Sequence, residues 1–283
     1  MAKWDKEYLK LCRKILTEGV EVENRTGINT IKIPSYGFTF DLGEEFPFLT
    51  TKQLYYKAAI KEITWIMIRA CNDVRWLQER GVKIWNEWEI DCDGNYQDRK
   101  FPKEWAHTIG TAYGYIVNKF NLTDNLIDKL KNNPTDRRMI MSLWQDDYIK
   151  SAVLPSCVWN SMWDVTDGKL NAIVTCRSND VPLGMPFNVC QYAVLIHLLA
   201  QVTGLKVGKL YYNVKDVHIY VNQIDGIKEQ IRRYHELGDF EAPELWINPD
   251  IKDFFEFDNS KELNDIKLVR YNHHGKISMP VAV

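Results

Sequence analysis

The sequence predicts a single α+β domain over residues 1–283, on three observations. Segments with apolar residues at helical spacing are interleaved with segments that alternate like strands. Two apolar runs, around Trp159–Val165 and Leu170–Val174, are joined by a Thr166-Asp167-Gly168-Lys169 turn, the pattern of a hairpin. No low-complexity tract, repeat or Gly/Ser-rich linker divides the 283 residues, and 45% hydrophobic content with 12% aromatics is enough for one large core.

Taken in order, residues 4–19 carry Tyr8, Leu9, Cys12, Ile15 and Leu16 at helical spacing, a packing helix. Asn24-Arg25-Thr26-Gly27 is a turn bearing one arginine. Thr30–Phe40 alternates as one or two strands, and Lys52–Ala70 has the pattern of a largely buried helix. Glu62 lies in that helix between Ile60 and Ile63, where a charge is unfavourable to bury, so its pKa should rise or it should be hydrogen-bonded. Asn125–Asn132 is a surface helix with Asp124 as its N-cap, ended by Pro134, and Arg137-Arg138 heads the apolar strand Met139–Trp144. Cys157 opens the first hairpin strand and Arg177-Ser178-Asn179-Asp180 closes the second. Gly184 and Pro186 break the chain before the helix Val189–Gln201, and His218 and Tyr220, two apart in a strand, share a face.

Composition narrows the function. A formal charge of −2 leaves no nucleic-acid footprint, so anion binding must come from local arginines. No apolar run reaches the roughly 18 residues of a membrane span, and the first six residues are not a secretory signal, so a cytoplasmic location is expected. Six cysteines, at 12, 71, 92, 157, 176 and 190, form no CxxC pair or disulfide framework, which fits a reducing compartment and no structural zinc. His273 and His274 lack a third ligand at a useful spacing.

The hairpin brings a thiol and a guanidinium together. The thiolate is the nucleophile, and nearby cations lower a cysteine's pKa from about 8.5, so Cys157 activated by Arg177 is a candidate nucleophile. The plain alternative is packing, the usual fate of an unpaired cysteine.

PSC at 155–157, RSNDVPLGMPFN at 177–188 and DVHIY at 216–220 resemble the thymidylate synthase family, whose pattern is a nucleophilic cysteine, then RSxDxxLGxPFN, then DxHxY. NRTG at 24–27, FPFLTTK at 46–52, KEITW at 61–65, IWNEW at 84–88, AYG at 112–114, DRRMIMSLW at 136–144 and the terminal PVAV match in the same order along nearly the whole chain. The resemblance implies a three-layer α/β type of α+β fold, with a large twisted mixed sheet flanked by helices and dimerising through the sheet. It implies Cys157 as nucleophile towards C6 of dUMP and 5,10-methylenetetrahydrofolate as co-substrate, with no metal, and dTMP and dihydrofolate as products. Arg25, Arg177, Ser178 and, across a homodimer, Arg137 and Arg138 would hold the phosphate, and a guanidinium fork suits a phosphate dianion. Glu62 would organise water near the pyrimidine, Tyr113 would assist loss of the C5 proton, and His218 and Tyr220 would bond the ribose 3′-hydroxyl. An amide at Asn188 can satisfy the O4 and N3–H edge of uracil, whereas members acting on dCMP carry aspartate there. Ile84, Trp85, Asp180, Leu183, Gly184, Phe187 and Val283 would line the folate side.

The sequence departs from the family pattern at Asn86, Ser156, Val158, Met162, Cys176, Pro182 and Lys215. Of these, Asn86, Ser156, Met162 and Lys215 keep a rival open, a dUMP 5-hydroxymethylase that adds water where the synthase adds hydride. A non-catalytic nucleotide- or RNA-binding dimer on the same scaffold is opposed by Cys157, Glu62 and Tyr113.

Overall fold

The protein was analysed as a computed structural model that describes residues 2–258 and 265–282. Among these, seven strands build the main sheet: β1 (Val20–Val22), β2 (Thr30–Asp41), β3 (Ile140–Ser142), β4 (Val158–Thr166), β5 (Lys169–Cys176), β6 (Asn179–Asp180) and β7 (Lys206–Tyr220). The six helices that matter for the site are α1 (Lys3–Glu18), α2 (Tyr56–Ile63), α3 (Gly114–Lys119), α4 (Leu122–Asn132), α5 (Gly184–Thr203) and α6 (Ile224–Leu237). The sheet order is β1-β2-β7-β5-β4-β3, with β6 beside β7. β5 and β6 run parallel to β7 and the other pairs are antiparallel, so the sheet is mixed, as expected.

Local chemistry explains the strands. The hairpin between β4 and β5 closes through Asp167 and Gly168, both at positive φ (53° and 67°), the conformation of the tight turn that matches strand twist. The alternation in 30–40 becomes the single strand β2, paired with β7 from Thr30↔Tyr220 to Asp41↔Lys209. In β7, Gly208, Leu210, Tyr212 and Val214 are buried while Lys209, Tyr211, Asn213 and Lys215 are exposed. Alternation stops at Asp216, whose φ is +54°, and Val217, His218 and Ile219 are then all buried. Pro34 stands where the β2 register skips past Asp216, a place where a missing N–H costs no ladder bond.

Helix α5 forms the middle layer, with β5 and β7 on one side and α2 on the other. It begins at Gly184, five residues before the expected start. Pro186 does not break it, because the first helical turn has no carbonyl partner for its N–H groups and a proline there loses nothing. Gly204 ends it in the left-handed conformation. By length and composition α5 could cross a membrane, contrary to the expectation from sequence, but 78% of its most apolar 18-residue stretch is buried inside this chain, as in a core helix. Its Leu195, Ile196, Leu198 and Leu199 each contribute about 2 kcal/mol by leaving water. Two further boundaries moved: α4 starts at Leu122 with Asn121 before it, leaving Asp124 in the first turn rather than at the cap, and the helix expected over 52–70 is α2 followed by a π-helical turn, Thr64–Ile68.

The FPFLTTK segment is fastened by a buried carboxylate. Asp5 in α1 accepts from the backbone N–H and the hydroxyl of both Thr50 and Thr51, at 2.6–3.1 Å. Asp5→Ala would leave four buried donors unpaired, and we expect urea melts to show a loss on the order of 3 kcal/mol. A change below about 1 kcal/mol would mean that water replaces the carboxylate at little cost.

Candidate active site

Strand directions gather the candidate residues. β2 is antiparallel to β7, β5 is parallel to β7, and β4 is antiparallel to β5. The starts of β2 and β4 and the ends of β5 and β7 therefore share one edge of the sheet. Arg25 precedes β2, Cys157 precedes β4, Arg177 and Ser178 follow β5, and His218 and Tyr220 end β7.

Cys157 and Arg177 face each other across the hairpin, with the Arg177 N–H donating to the Cys157 carbonyl at 2.8 Å. The guanidinium donates to the Pro155 and Ser156 carbonyls (2.6 and 3.1 Å) and stands 3.7 Å from the Cys157 sulfur. Burial nevertheless pushes the Cys157 thiol up, against the pull of Arg177, the Tyr113 hydroxyl and Arg25. Arg177 does pull the thiol down, as expected from the sequence, but burial outweighs it.

The Tyr113 hydroxyl accepts from the Cys157 N–H at 2.9 Å. Tyr113 immediately precedes α3, at φ +46°. Its neighbour must be glycine, because a Cβ at Gly114 would sit 1.9 Å from the Cys71 carbonyl oxygen. Glu62 is buried in α2 and accepts from Trp85 Nε1 at 2.7 Å and Gln191 Nε2 at 2.5 Å. Burial raises its pKa from 4.5 to about 7, against those two hydrogen bonds. Trp85 in turn packs edge-on to Tyr113 and Trp88 (5.4 and 5.6 Å). Asn188, near the start of α5, accepts from Asn179 Nδ2 (3.1 Å) and donates to Gln191 Oε1 (3.2 Å); it lies in helix rather than in a turn.

The remaining candidates fall into two groups. Ser178 donates to Asp216 (2.9 Å), which also pairs with Lys32 (3.0 Å), and the His218 ring stands perpendicular to Tyr220 at 5.2 Å. Arg25 is exposed in its turn, which Asn24 shapes by accepting from Thr26. Asp180 accepts from the Leu183 N–H and from Gln223 Nε2, both at 3.0 Å, and Gln223 also donates to the Pro280 carbonyl (3.1 Å), so the tail is tied to the site. Leu183, Gly184 and Phe187 follow Asp180 in sequence at the start of α5, and Ile84, beside Trp85, is 37% exposed. Arg137 and Arg138 stand apart: both are exposed before β3, and Arg138 is held by Asp136 at 3.0 Å, which keeps that carboxyl down at about 2. Val283 lies outside the described residues. Among the described residues no cluster of His, Cys, Asp or Glu could hold a metal ion, and all six cysteines are free.

The family profile described as Thymidylate synthase matches residues 6–283. The chain belongs to the thymidylate synthase family. It is similar to the thymidylate synthase of Clostridium beijerinckii, 48% identical over 283 residues with both chains fully covered, and to thymidylate synthase 1 of Bacillus spizizenii, 39% identical over 302 residues with full coverage of both. Among solved structures it superposes on the thermostable thymidylate synthase A from Bacillus subtilis with a TM-score of 0.87, at 38% identity and 99% coverage of each chain. The protein is thus a methyltransferase of the thymidylate synthase family, with the mixed sheet and flanking helices of that fold.

In this thymidylate synthase family enzyme several site residues escaped sequence reasoning. Lys52 is buried with Nζ 2.5 Å from the Pro182 carbonyl, and burial brings it down to about 8. Asn179, Gln191, Tyr212 and Gln223 complete the hydrogen bonds of Asn188, Glu62 and Asp180. Gln191 alone had a local signal, three residues after Asn188 in a helix. Of the departures from the family pattern, Val158 and Cys176 are buried opposite each other in the hairpin, the Ser156 hydroxyl is buried without a partner, Asn86 accepts from Gln78 (3.3 Å), and Lys215 is exposed.

Glu62 also sets a pH dependence of stability. Unfolded, it releases its proton near 4.5; folded, it keeps it to about 7. The folded state binds more protons between those values, so this contribution to stability is present below 4.5 and is lost as pH rises to 7. Relative to Glu62→Gln, the wild type should lose on the order of 3 kcal/mol of unfolding free energy between pH 4.5 and 7, at 1.36 kcal/mol per pH unit. Denaturant melts at a series of pH values check this, and parallel curves would show that Glu62 does not titrate there.

Proposed function

We propose that the chain, acting as one catalytic domain over residues 1–283, reductively methylates dUMP to dTMP with 5,10-methylenetetrahydrofolate, releasing dihydrofolate. The observation that carries this reading is the Cys157 sulfur beside Arg177, with the Cys157 N–H on the Tyr113 hydroxyl and Asn188 joined to Glu62 through Gln191.

Arg25, Arg177 and Ser178 bind the phosphate, and Asn188 fixes the base through one N–H and one lone pair. His218 and Tyr220 hold the ribose. Cys157 adds through its sulfur to C6 of the pyrimidine, which makes C5 a carbon nucleophile. Glu62, with a pKa near neutrality, is suited to pass protons through water to the ring. Tyr113 assists removal of the C5 proton. The co-substrate supplies the one-carbon unit and afterwards the hydride. Trp85, Leu183 and Phe187 offer it an apolar wall, and the half-buried Asp180 carboxylate offers a hydrogen-bond acceptor; these residues fit a flat heteroaromatic ring with N–H groups. The tail, Val283 included, would close over it and exclude water.

A homodimer formed through the outer face of the sheet brings Arg137 and Arg138 of each subunit to the other's phosphate. Supporting this, Met162, Ile173, Tyr211 and Thr39 are successive cross-strand partners on β4, β5, β7 and β2, and all four are half-buried or exposed. An uncovered row containing Met, Ile and Tyr on a sheet face fits a subunit contact. Exposure of Arg137 and Arg138 fits a role outside their own subunit. The site of action is the cytoplasm.

Incubation with dUMP and methylenetetrahydrofolate should yield dTMP with equimolar dihydrofolate, read by chromatography and absorbance. Formation of 5-hydroxymethyl-dUMP without dihydrofolate would replace this reading by the hydroxymethylase. Cys157→Ser should lower kcat by at least about 10³-fold, with the covalent adduct to 5-fluoro-dUMP lost by intact mass.

A further inference from the structure

Six side chains form one unbroken hydrogen-bonded line from the sheet to α2. The Tyr212 hydroxyl donates to Asn179 Oδ1 (2.9 Å), Asn179 Nδ2 to Asn188 Oδ1 (3.1 Å), Asn188 Nδ2 to Gln191 Oε1 (3.2 Å) and Gln191 Nε2 to Glu62 Oε2 (2.5 Å), while Trp85 Nε1 donates to Glu62 Oε1 (2.7 Å). Asn179 and Gln191 are each 3% exposed. Space is reserved for the line: a Cβ on Gly184 would come within 3.2 Å of Asn179 Nδ2 and 3.9 Å of Asn188 Oδ1.

The line has a direction. A carboxylate only accepts and an indole only donates. Above its pKa of about 7, Glu62 is ionised and takes the NH2 end of Gln191, which turns the Gln191 oxygen to Asn188. The NH2 of Asn188 must meet that oxygen, so its own oxygen faces the NH2 of Asn179, whose oxygen takes the Tyr212 hydroxyl. The geometry points to Asn179 and Gln191 as positioning residues that fix which way round the Asn188 amide is held, and so set the preference for a uracil over a cytosine base.

The inference rests on the reading of Asn188 as the base-binding residue and extends it. A primary amide has two N–H donors and two lone pairs on oxygen. One of each is used within the line, and one of each is left for the ring, in the order that fits O4 and N3–H. Turned over, Asn188 would offer the reverse order, which fits N3 and the amino group of cytosine. It would then set oxygen against Gln191 Oε1 and nitrogen against Asn179 Nδ2, two repulsive contacts that the fixed neighbours cannot relieve. Discrimination of this kind comes from penalising the wrong partner as well as from fitting the right one.

The test is equilibrium binding of dUMP and dCMP, by calorimetry at a pH well above 7 where Glu62 is ionised, to the full-length wild type and to Asn179→Asp and Gln191→Met. Aspartate cannot donate to Asn188, and methionine keeps the volume of glutamine without its amide. In Asn179→Asp the ratio of dUMP to dCMP affinity should fall by about tenfold or more, since a site whose polar groups are mispaired loses its selectivity. Gln191→Met should lower the ratio in the same sense and stands alone if the aspartate variant does not fold. A general loosening of the fold would weaken both nucleotides alike and leave the ratio unchanged. A wild type that prefers dUMP, with an unchanged ratio in the folded variants, would overturn the inference alone; a wild type without that preference would overturn the substrate reading beneath it.

Discussion

A carboxylate buried between two helices must be hydrogen-bonded, and Glu62 meets that requirement through groups from distant parts of the chain. Trp85 and Gln191 donate to its two oxygens, 23 and 129 residues away in sequence. Satisfying one buried carboxyl group thus fixes how the IWNEW loop and helix α5 sit against α2. Each of these in turn carries a site residue: Trp85 packs on Tyr113, and Gln191 holds Asn188. Apolar packing alone would tolerate small slips between these elements. A hydrogen bond of 2.5–2.7 Å at a buried oxygen would not.

The same competition between burial and pairing decides the state of Cys157. A cation about 4 Å from a thiolate is worth around 4 kcal/mol at an effective dielectric of 20, while desolvating an ion costs several kcal/mol. The two are close in size, so the balance turns on geometry. With Arg177 3.7 Å from the sulfur and its shorter bonds on the Pro155 and Ser156 carbonyls, burial outweighs the cation and holds the Cys157 thiol up. Those carbonyl bonds have their own use, since they lock the guanidinium at the mouth of the hairpin.

Much of this was legible in the sequence because it is local. Alternation gave β2, the Asp167-Gly168 turn gave the hairpin, and the apolar neighbours of Glu62 gave its burial and raised pKa. Two misreadings were also local. Pro186 has the look of a break but sits where a helix can accept it, and the widened turn Thr64–Ile68 has no signature in residue spacing. What sequence could not show were the long-range partners. Asp5 with Thr50 and Thr51, Gln223 with Asp180, and Gln191 with Glu62 are each set by the tertiary fold. Nor could neighbouring positions reveal that Arg177 is occupied by carbonyls, because that depends on how the loop before β4 folds back.

The layered arrangement also couples Asn188 to Glu62. Asn179 belongs to the sheet, Asn188 and Gln191 to the helix packed on it, and Glu62 to the helix outside that. The hydrogen-bonded line crosses all three layers, and each amide in it has a single orientation that leaves its neighbours satisfied. A polar network buried in a low-dielectric interior is stable only when complete. Rotating one amide therefore requires breaking the pairing at both of its ends. The orientation of Asn188 is then a property of the packed layers as a whole and not of the edge loop where a pyrimidine would bind.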